Sequence, residues 1–285
     1  MKNYEEFKSI LAEEMLHYLP ERFQNYRLQT DHVPKINGFL ESLSIMPPDG
    51  SCAVPTLYFS ELYEYYLRCE SMEAALCKAA EVYLSGMDYL EAAPPRMDLA
   101  EKPLQIVYHL VGTLRNRELI RIAPSRPYMD MTLIYRLMRE DLQGGFNSAI
   151  ITADIMENLG LTEAQLYEEA AKNTPLLLPL RIQRMDDGFY CMSNRYYALG
   201  AASILYDGAL ERAAGIADDD LYILPSSIHE VFLVAAGSCD LEILAQTVRE
   251  ANQEILKPGE VLTDSVYRYD RFSGQVTMAS GGGIS

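Results

Sequence analysis

The chain opens with apolar residues at helical spacing. Residues 3–18 therefore predict an amphipathic helix, with Asn3 as its N-cap. Two stretches in which apolar and polar residues alternate, 26–33 and 39–45, flank turn-forming residues and predict a β-hairpin. A longer helical pattern covers residues 60–90, with a break and a new N-cap near its middle. The first part of the chain thus predicts helices packed on a small sheet.

A proline-rich segment without an apolar period follows this helical pattern. It contains three prolines, two of them adjacent, which is typical of a connection between domains. We therefore predict an N-terminal lobe over residues 1–91, a linker over 92–103 and a C-terminal lobe over 104–279. The last residues, 280–285, include three consecutive glycines and are expected to be a disordered tail.

The C-terminal lobe mixes short strand patterns with helical ones. Strands are predicted at 104–111, 129–138, 180–185, 196–198, 221–224 and 231–234, with a final hairpin of 265–269 and 275–278. Helices are predicted after the N-caps Thr152 and Thr162, near 208–214, and over 240–255. These patterns predict an α+β protein of two lobes, each a small, mostly antiparallel or mixed sheet with packed helices.

The composition is typical of a globular protein that needs no disulfide or structural metal for its stability. The chain has 285 residues, of which 49% are hydrophobic and 23% charged, so it can bury a core unaided. Its five cysteines and four histidines are scattered without a metal-binding or redox spacing, so we expect no metal and no cofactor. The first residues lack a signal-peptide pattern and no window is apolar enough for a membrane span, which makes the cytoplasm the expected location.

Charge narrows the range of partners. The formal net charge is −17, which would repel phosphate backbones and predicts no nucleic-acid partner, whereas a protein with a basic surface would be attracted. One segment departs from this balance, because Arg115, Arg117, Arg121 and Arg126 lie close in sequence. These arginines could form a basic patch, or they could pair with carboxylates of neighbouring elements.

The segment with the most site-like composition follows the strand predicted at 221–224. It brings Ser226, Ser227, His229 and Glu230 together within five residues. Two hydroxyls, an imidazole and a carboxylate can supply a nucleophile and a general base, which would suit a hydrolase. The alternative is a structural connection between strands, in which these side chains bond to backbone groups. Residues so close in sequence seldom adopt catalytic geometry, and no glycine-flanked nucleophile motif is present.

Other polar clusters give weaker signals. The run Asp218, Asp219, Asp220 lacks the spaced ligands and the glycine of a calcium loop, so we interpret it as a solvated loop. The pair Gly144 and Gly145 lacks the lysine and hydroxyl of a phosphate-binding loop. No nucleotide-binding motif is therefore predicted.

Several segments together resemble a known family. They are YEEF…YLPERF, VPKINGFLESLSI, LTEAQLYEEAAKNT, LYILPSSIHEVFLV and VLTDSVYRYDRFSGQV, and they cover most of the chain. The chain resembles the bacterial proteins grouped as domain-of-unknown-function family 5688. The resemblance implies a bacterial cytosolic protein and marks residues 224–231 and 264–270 as the most family-like motifs. It implies no activity, cofactor or catalytic residue.

Two classes of function fit these observations. The first is a non-catalytic binding or regulatory protein, favoured by the strong acidity, the 20 tyrosines and the lack of a complete catalytic motif. The second is a hydrolase-type enzyme that uses the loop of Ser226, Ser227, His229 and Glu230. A mimic of nucleic acid is a third interpretation, but the basic segment around Arg115 argues against it.

Overall fold

The structure is a computed structural model that describes residues 1–49, 54–92, 105–140, 146–185, 188–225 and 227–281. Helices combine with three antiparallel sheets, which confirms the α+β class. The chain separates into two compact units, Met1–Lys35 with Phe39–Asp98 and Ile36–Gly38 with Leu99–Ser285. The predicted lobe boundaries stay a prediction, since residues 93–103 of the linker and 282–285 of the tail lie outside the described residues.

The first unit packs helices around a three-stranded sheet of order β1-β2-β3. Its elements are α1 (Tyr4–Glu14), β1 (Arg27–Lys35), β2 (Gly38–Met46), β3 (Thr56–Tyr58), α2 (Phe59–Cys69) and α3 (Met72–Ala92). Short 3₁₀ turns at Met15–Tyr18 and Glu21–Phe23 connect α1 to the sheet. The predicted hairpin and helices are therefore present.

Local capping sets the helix limits in this unit. Asn3 accepts a hydrogen bond from the Glu6 amide at 2.9 Å, and the Glu6 carboxylate accepts one from the Asn3 amide, which forms a capping box. Glu70 adopts a left-handed conformation, φ 53°, and ends α2, after which Ser71 accepts from the Ala74 amide at the start of α3. Phe7 and Tyr83 lie fully buried in the resulting core.

The second unit contains two antiparallel sheets. Its strands are β4 (Ile106–Gly112), β5 (Ser125–Tyr128), β6 (Met131–Glu140), β7 (Phe146–Ile150), β8 (Leu180–Arg184), β9 (Phe189–Asn194), β10 (Leu221–Leu224), β11 (Val231–Ala235), β12 (Val266–Asp270) and β13 (Gln275–Ser280). Its helices are α4 (Arg117–Ile122), α5 (Ala153–Leu159), α6 (Glu163–Leu177), α7 (Ala209–Ala217) and α8 (Leu241–Glu254). Further 3₁₀ turns include Leu114–Asn116, Gly200–Leu205 and Pro258–Glu260.

The smaller sheet is built on β4 and β6, with β5 and β7 both pairing with β6. All seven residues of β4 are buried, so this strand is covered on both faces. The larger sheet has the order β13-β12-β10-β11-β9-β8. Its inner strands contribute Met192, Leu221 and Val231 to the main core of the unit.

One predicted strand is wrong, and several observed strands, among them β5 and β9, were not predicted. Residues 196–198 form a turn, whereas β9 lies just before them at Phe189–Asn194. The Asn194 side chain stabilises this turn, because it donates to the Ala198 carbonyl at 2.6 Å and accepts from the Tyr196 amide at 2.9 Å. The N-caps predicted at Thr152 and Thr162 are confirmed by bonds from the Ile155 and Gln165 amides. No helix within the described ranges has the length and apolarity that crossing a bilayer requires.

Candidate functional site

The loop singled out from the sequence connects β10 to β11. Ser226 lies outside the described residues, and Ser227 is 2% exposed. The Ser227 hydroxyl oxygen accepts a hydrogen bond from the His229 amide at 2.9 Å, and its backbone forms an isolated antiparallel bridge to Val261. The Ser227 hydroxyl therefore closes a local turn, as Ser side chains commonly do.

His229 is held by a second loop. Its ring atom Nδ1 accepts a hydrogen bond from the Leu199 amide at 3.3 Å, and its carbonyl accepts one from the Ser193 hydroxyl at 2.7 Å. Because Nδ1 acts as an acceptor, the neutral ring carries its proton on Nε2. Within the described part of the chain, the Ser227 hydroxyl bonds to the His229 backbone and not to its ring. The Ser227 hydroxyl and the His229 ring, which a hydrolase would need as a pair, therefore lie near each other but form hydrogen bonds to different groups.

The backbone beside His229 is strained and tightly packed. Tyr197 and Leu199 both adopt left-handed conformations, with φ of 51° and 58°. Gly200 follows, and a Cβ atom there would overlap the Ser193 hydroxyl and the His229 carbonyl. Non-glycine residues with positive φ are uncommon and need support from surrounding structure. The backbone of this loop, next to the candidate site, is therefore tightly constrained.

Glu230, the last residue of the candidate loop, is half-buried beside the thiol of Cys191. Burial, and after it the Glu230 carboxylate, raise the pKa of the Cys191 thiol. A thiol in this environment stays protonated and is a poor nucleophile. Glu230 and Cys191 therefore do not form an activated nucleophilic pair.

The second family-like motif converges on Asp130, a residue that sequence patterns did not single out. Asp130 lies in the tight connection between β5 and β6, after Met129, whose φ is 57°. Its carboxylate accepts hydrogen bonds from the hydroxyls of Thr263 and Ser265, both at 2.7 Å, and from the hydroxyl of Tyr267. Thr263, together with Ser265 and Tyr267 of the motif, thus joins β12 of the larger sheet and the residues just before it to the β5–β6 turn of the smaller sheet.

This environment sets the ionisation of Tyr267. Burial is the main cause, and the adjacent Asp130 carboxylate adds to it, so the pKa of Tyr267 is raised well above its ordinary value. Tyr267 therefore remains a hydrogen-bond donor throughout the physiological range. Thr263, Ser265 and Tyr267 are each at most 9% exposed, which leaves little access for a substrate.

The segment between the two motifs links them. The Ile228 amide donates to the Glu260 carbonyl at 2.9 Å, next to the bridge between Ser227 and Val261. Asn37, which belongs to the second unit, donates to the Val261 carbonyl at 2.6 Å. Residues 227–230 and 260–267 therefore form one continuous hydrogen-bonded assembly rather than two separate sites.

His109 is a buried polar residue close to this assembly. It lies in β4 with 0% exposure, and neither ring nitrogen has a hydrogen-bond partner within the described residues. Burial, and after it the positive charge of Arg136, holds the pKa of His109 well below its ordinary range. His109 is therefore neutral in the folded protein. Its position in a predicted apolar strand did not indicate this property.

The four arginines of the predicted basic patch have different surroundings. Arg115 is exposed in the 3₁₀ turn before α4, and Arg117 is exposed at the start of α4. Arg121, in the same helix, forms an ion pair with Glu118 at 3.1 Å. Arg126 instead lies on β5 and makes two hydrogen bonds to Glu163. The arginines therefore do not act as one set of free cations.

The Arg126 pair is part of a larger cluster. The guanidinium lies 3.8 Å from the ring centre of Tyr167, and the Tyr135 hydroxyl also donates to Glu163. Burial pushes the pKa of Glu163 upward, but the hydrogen bonds from Arg126 and Tyr135 hold it below its ordinary value. This cluster fixes α6 to the smaller sheet.

The acidic run Asp218–Asp220 also has internal partners. Asp218 pairs with Arg271 at 2.8 Å, and Asp220 pairs with Arg268 at 2.7 Å. Asp219 accepts from the Gly237 amide at 2.9 Å. Across the described ranges, no group of three or more His, Cys, Asp or Glu side chains is arranged to hold a metal ion.

The fold and this assembly define an α+β protein whose family-like motifs meet in one polar network of the second unit. Residues 4–189 and 186–271 match a family of unknown function, DUF5688. The chain therefore belongs to that family. Comparisons with curated proteins and with solved structures find no match.

Proposed function

We propose that this chain is a non-catalytic binding or regulatory protein whose acidic surface faces a basic surface of a protein partner. The observation that carries the proposal is the use of Ser227 and His229 as acceptors for backbone amides, with Ser227 buried. Side chains occupied in this way stabilise a loop and are poorly placed to attack a substrate. The net charge of −17 supports attraction to a basic partner.

A hydrolase-type enzyme using Ser226, Ser227, His229 and Glu230 is the second candidate. It is favoured by the positive φ angles of Tyr197 and Leu199 beside His229, because strained backbone occurs often at functional sites. Under this alternative, His229 would have to release its bond from the Leu199 amide or change tautomer, so that an unprotonated ring nitrogen could accept the hydroxyl proton of a serine as a general base.

Co-purification separates the two candidates. The tagged chain would be expressed at its native level and isolated from its source cells at low and at high salt. We expect a protein partner in constant ratio to the chain, released progressively as salt screens the charges. The binding proposal fails if the isolated chain carries no partner and instead hydrolyses a test substrate. A Ser227→Ala variant then decides the role of the loop, because a structural serine lowers stability whereas a catalytic serine abolishes turnover.

A further inference from the structure

The larger sheet of the second unit ends in the strand β8, which pairs with β9 on one side. Two backbone hydrogen bonds flank this pair, from the Met185 amide to the Phe189 carbonyl at 2.8 Å and from the Arg195 amide to the Pro179 carbonyl at 2.9 Å. They determine which residues of β8 direct their backbone groups toward β9. In an antiparallel ladder, backbone groups of successive residues point to opposite sides. Arg181 and Gln183 therefore bond to β9, whereas the amides of Ile182 and Arg184 point toward the edge of the sheet.

Side chains along this edge are held in place. The Arg181 guanidinium donates to the Gln183 side chain at 2.9 Å and lies 5.0 Å from the ring centre of Tyr197. The Tyr197 hydroxyl donates to the same Gln183 oxygen at 3.1 Å. The turn that carries Tyr197 is fixed by the two hydrogen bonds of Asn194. The edge therefore presents an ordered arginine and tyrosine, residue types that are enriched at binding hot spots.

The two charged residues of β8, Arg181 and Arg184, are basic, whereas the chain as a whole is acidic. Arg181, Arg184 and Arg195 are exposed, and none of them forms an ion pair with another described residue. The neighbouring aspartates, Asp186 and Asp187, lie outside the described residues. Arg181 and Arg184 project to opposite faces of β8, because side chains alternate along a strand. An added strand would therefore meet a positive charge on each of its faces.

We propose that the edge of β8 binds an extended acidic segment of a partner protein, which adds to the larger sheet as a seventh strand. The free amides would supply the ladder, and the arginines would select carboxylate side chains. A second copy of this chain fits poorly, since pairing β8 with itself places arginines near one another. The inference goes beyond the function proposed above, whose partner meets the acidic remainder of the surface.

The direct test uses short peptide probes and the full chain. The first probe is a labelled, end-capped peptide of alternating glutamate and valine. The second has the same residues but N-methylated backbone amides, so it keeps the charge and loses the ladder. We expect saturable binding of the first probe by fluorescence anisotropy and at least about tenfold weaker binding of the second. Equal binding of both probes would overturn strand addition, because charge alone would then explain the result.

Variants locate the binding surface. Arg181→Glu combined with Arg184→Glu should weaken the first probe by about tenfold or more. Arg117→Glu is the matched control, because Arg117 is also exposed but lies on α4, and it should leave binding unchanged. Melting curves should show that all variants fold, since the substituted side chains are on the surface. An equal loss in the control variant would contradict a site at β8.

Backbone-resolved hydrogen exchange gives an independent readout. Binding should slow exchange at the amides of Ile182 and Arg184, with little change at Arg181 and Gln183, which already bond to β9. Arginines also occur on edge strands simply to prevent unwanted pairing. If neither peptide binds and exchange at Ile182 and Arg184 is unaltered, the arginines have only that protective role and the proposal is wrong. This outcome would not affect the proposal of a basic protein partner, which co-purification tests separately.

Discussion

Removing the Asp130 carboxylate tests how the two sheets of the second unit are joined. Asp130→Ala would leave the hydroxyls of Thr263, Ser265 and Tyr267 without their shared acceptor, and Tyr267 is only 1% exposed. An unpaired buried hydroxyl costs about 1–3 kcal/mol. Thr263 and Ser265 have further contacts inside the turn, so their losses are partly recovered. We therefore expect the free energy of unfolding to fall by about 3–5 kcal/mol.

A double-mutant cycle isolates the contact between Asp130 and Tyr267. Tyr267→Phe alone should cost about 1–2 kcal/mol, because it removes one hydrogen bond to a charged acceptor. In the Asp130→Ala background the same change should cost much less, since no acceptor remains. Tyr206→Phe is the control, because the Tyr206 hydroxyl donates to the Leu178 carbonyl at 2.9 Å and does not touch Asp130.

Urea unfolding followed by circular dichroism measures each free energy, and tyrosine emission gives a second signal because the chain has no tryptophan. A coupling below about 0.5 kcal/mol between Asp130 and Tyr267, equal to that of the Tyr206 control, would refute the reasoning. The raised pKa of Tyr267 adds a pH test. Above about pH 10 the unfolded chain ionises this phenol and the folded chain does not, so stability should fall with rising pH, and less steeply in Tyr267→Phe.

Four further outcomes are expected. Gly200→Ala should lower stability by about 1–3 kcal/mol through steric overlap, whereas Gly259→Ala, where a Cβ meets nothing within 4 Å, should be nearly neutral in the same melting assay. Below about pH 6.5 the unfolded chain protonates His109 and the folded chain does not, so stability should fall by up to about 1.4 kcal/mol per pH unit, and His109→Leu should remove that component in acid titrations. Limited proteolysis should cut within 94–102, and protection there would contradict a linker. Duplex DNA should bind more weakly than micromolar at physiological salt, which a gel-shift assay would check.

Local signals explain which parts of the fold were predictable. Capping side chains at Asn3, Thr152 and Thr162 act within three residues of themselves, so sequence patterns located these helix starts. The strand β9 was missed because its buried positions include the polar residues Ser193 and Asn194, which interrupt an apolar alternation. Propensity alone cannot show that such polar groups are satisfied by bonds to distant or turn residues.

The candidate site was predictable only in its composition. The sequence pointed to Ser227 and His229, but their partners depend on contacts such as the bond from Leu199, thirty positions away. Asp130 gave no signal, because a single aspartate in a hairpin turn is common. The residues that donate to Asp130 lie 133 to 137 positions further along the chain, and the sequence around Asp130 does not indicate them.

These contacts distinguish a stabilising role of the family-like motifs from a binding role of exposed residues. Hydroxyls of Ser227, Ser265 and Tyr267 are directed to partners inside the second unit, so substituting them should affect stability before any binding. Arg181 and Arg184, by contrast, are exposed on a sheet edge and contribute little to the core. If the chain acts by binding, loss of function without loss of stability should therefore arise from substitutions at such exposed positions rather than within the motifs.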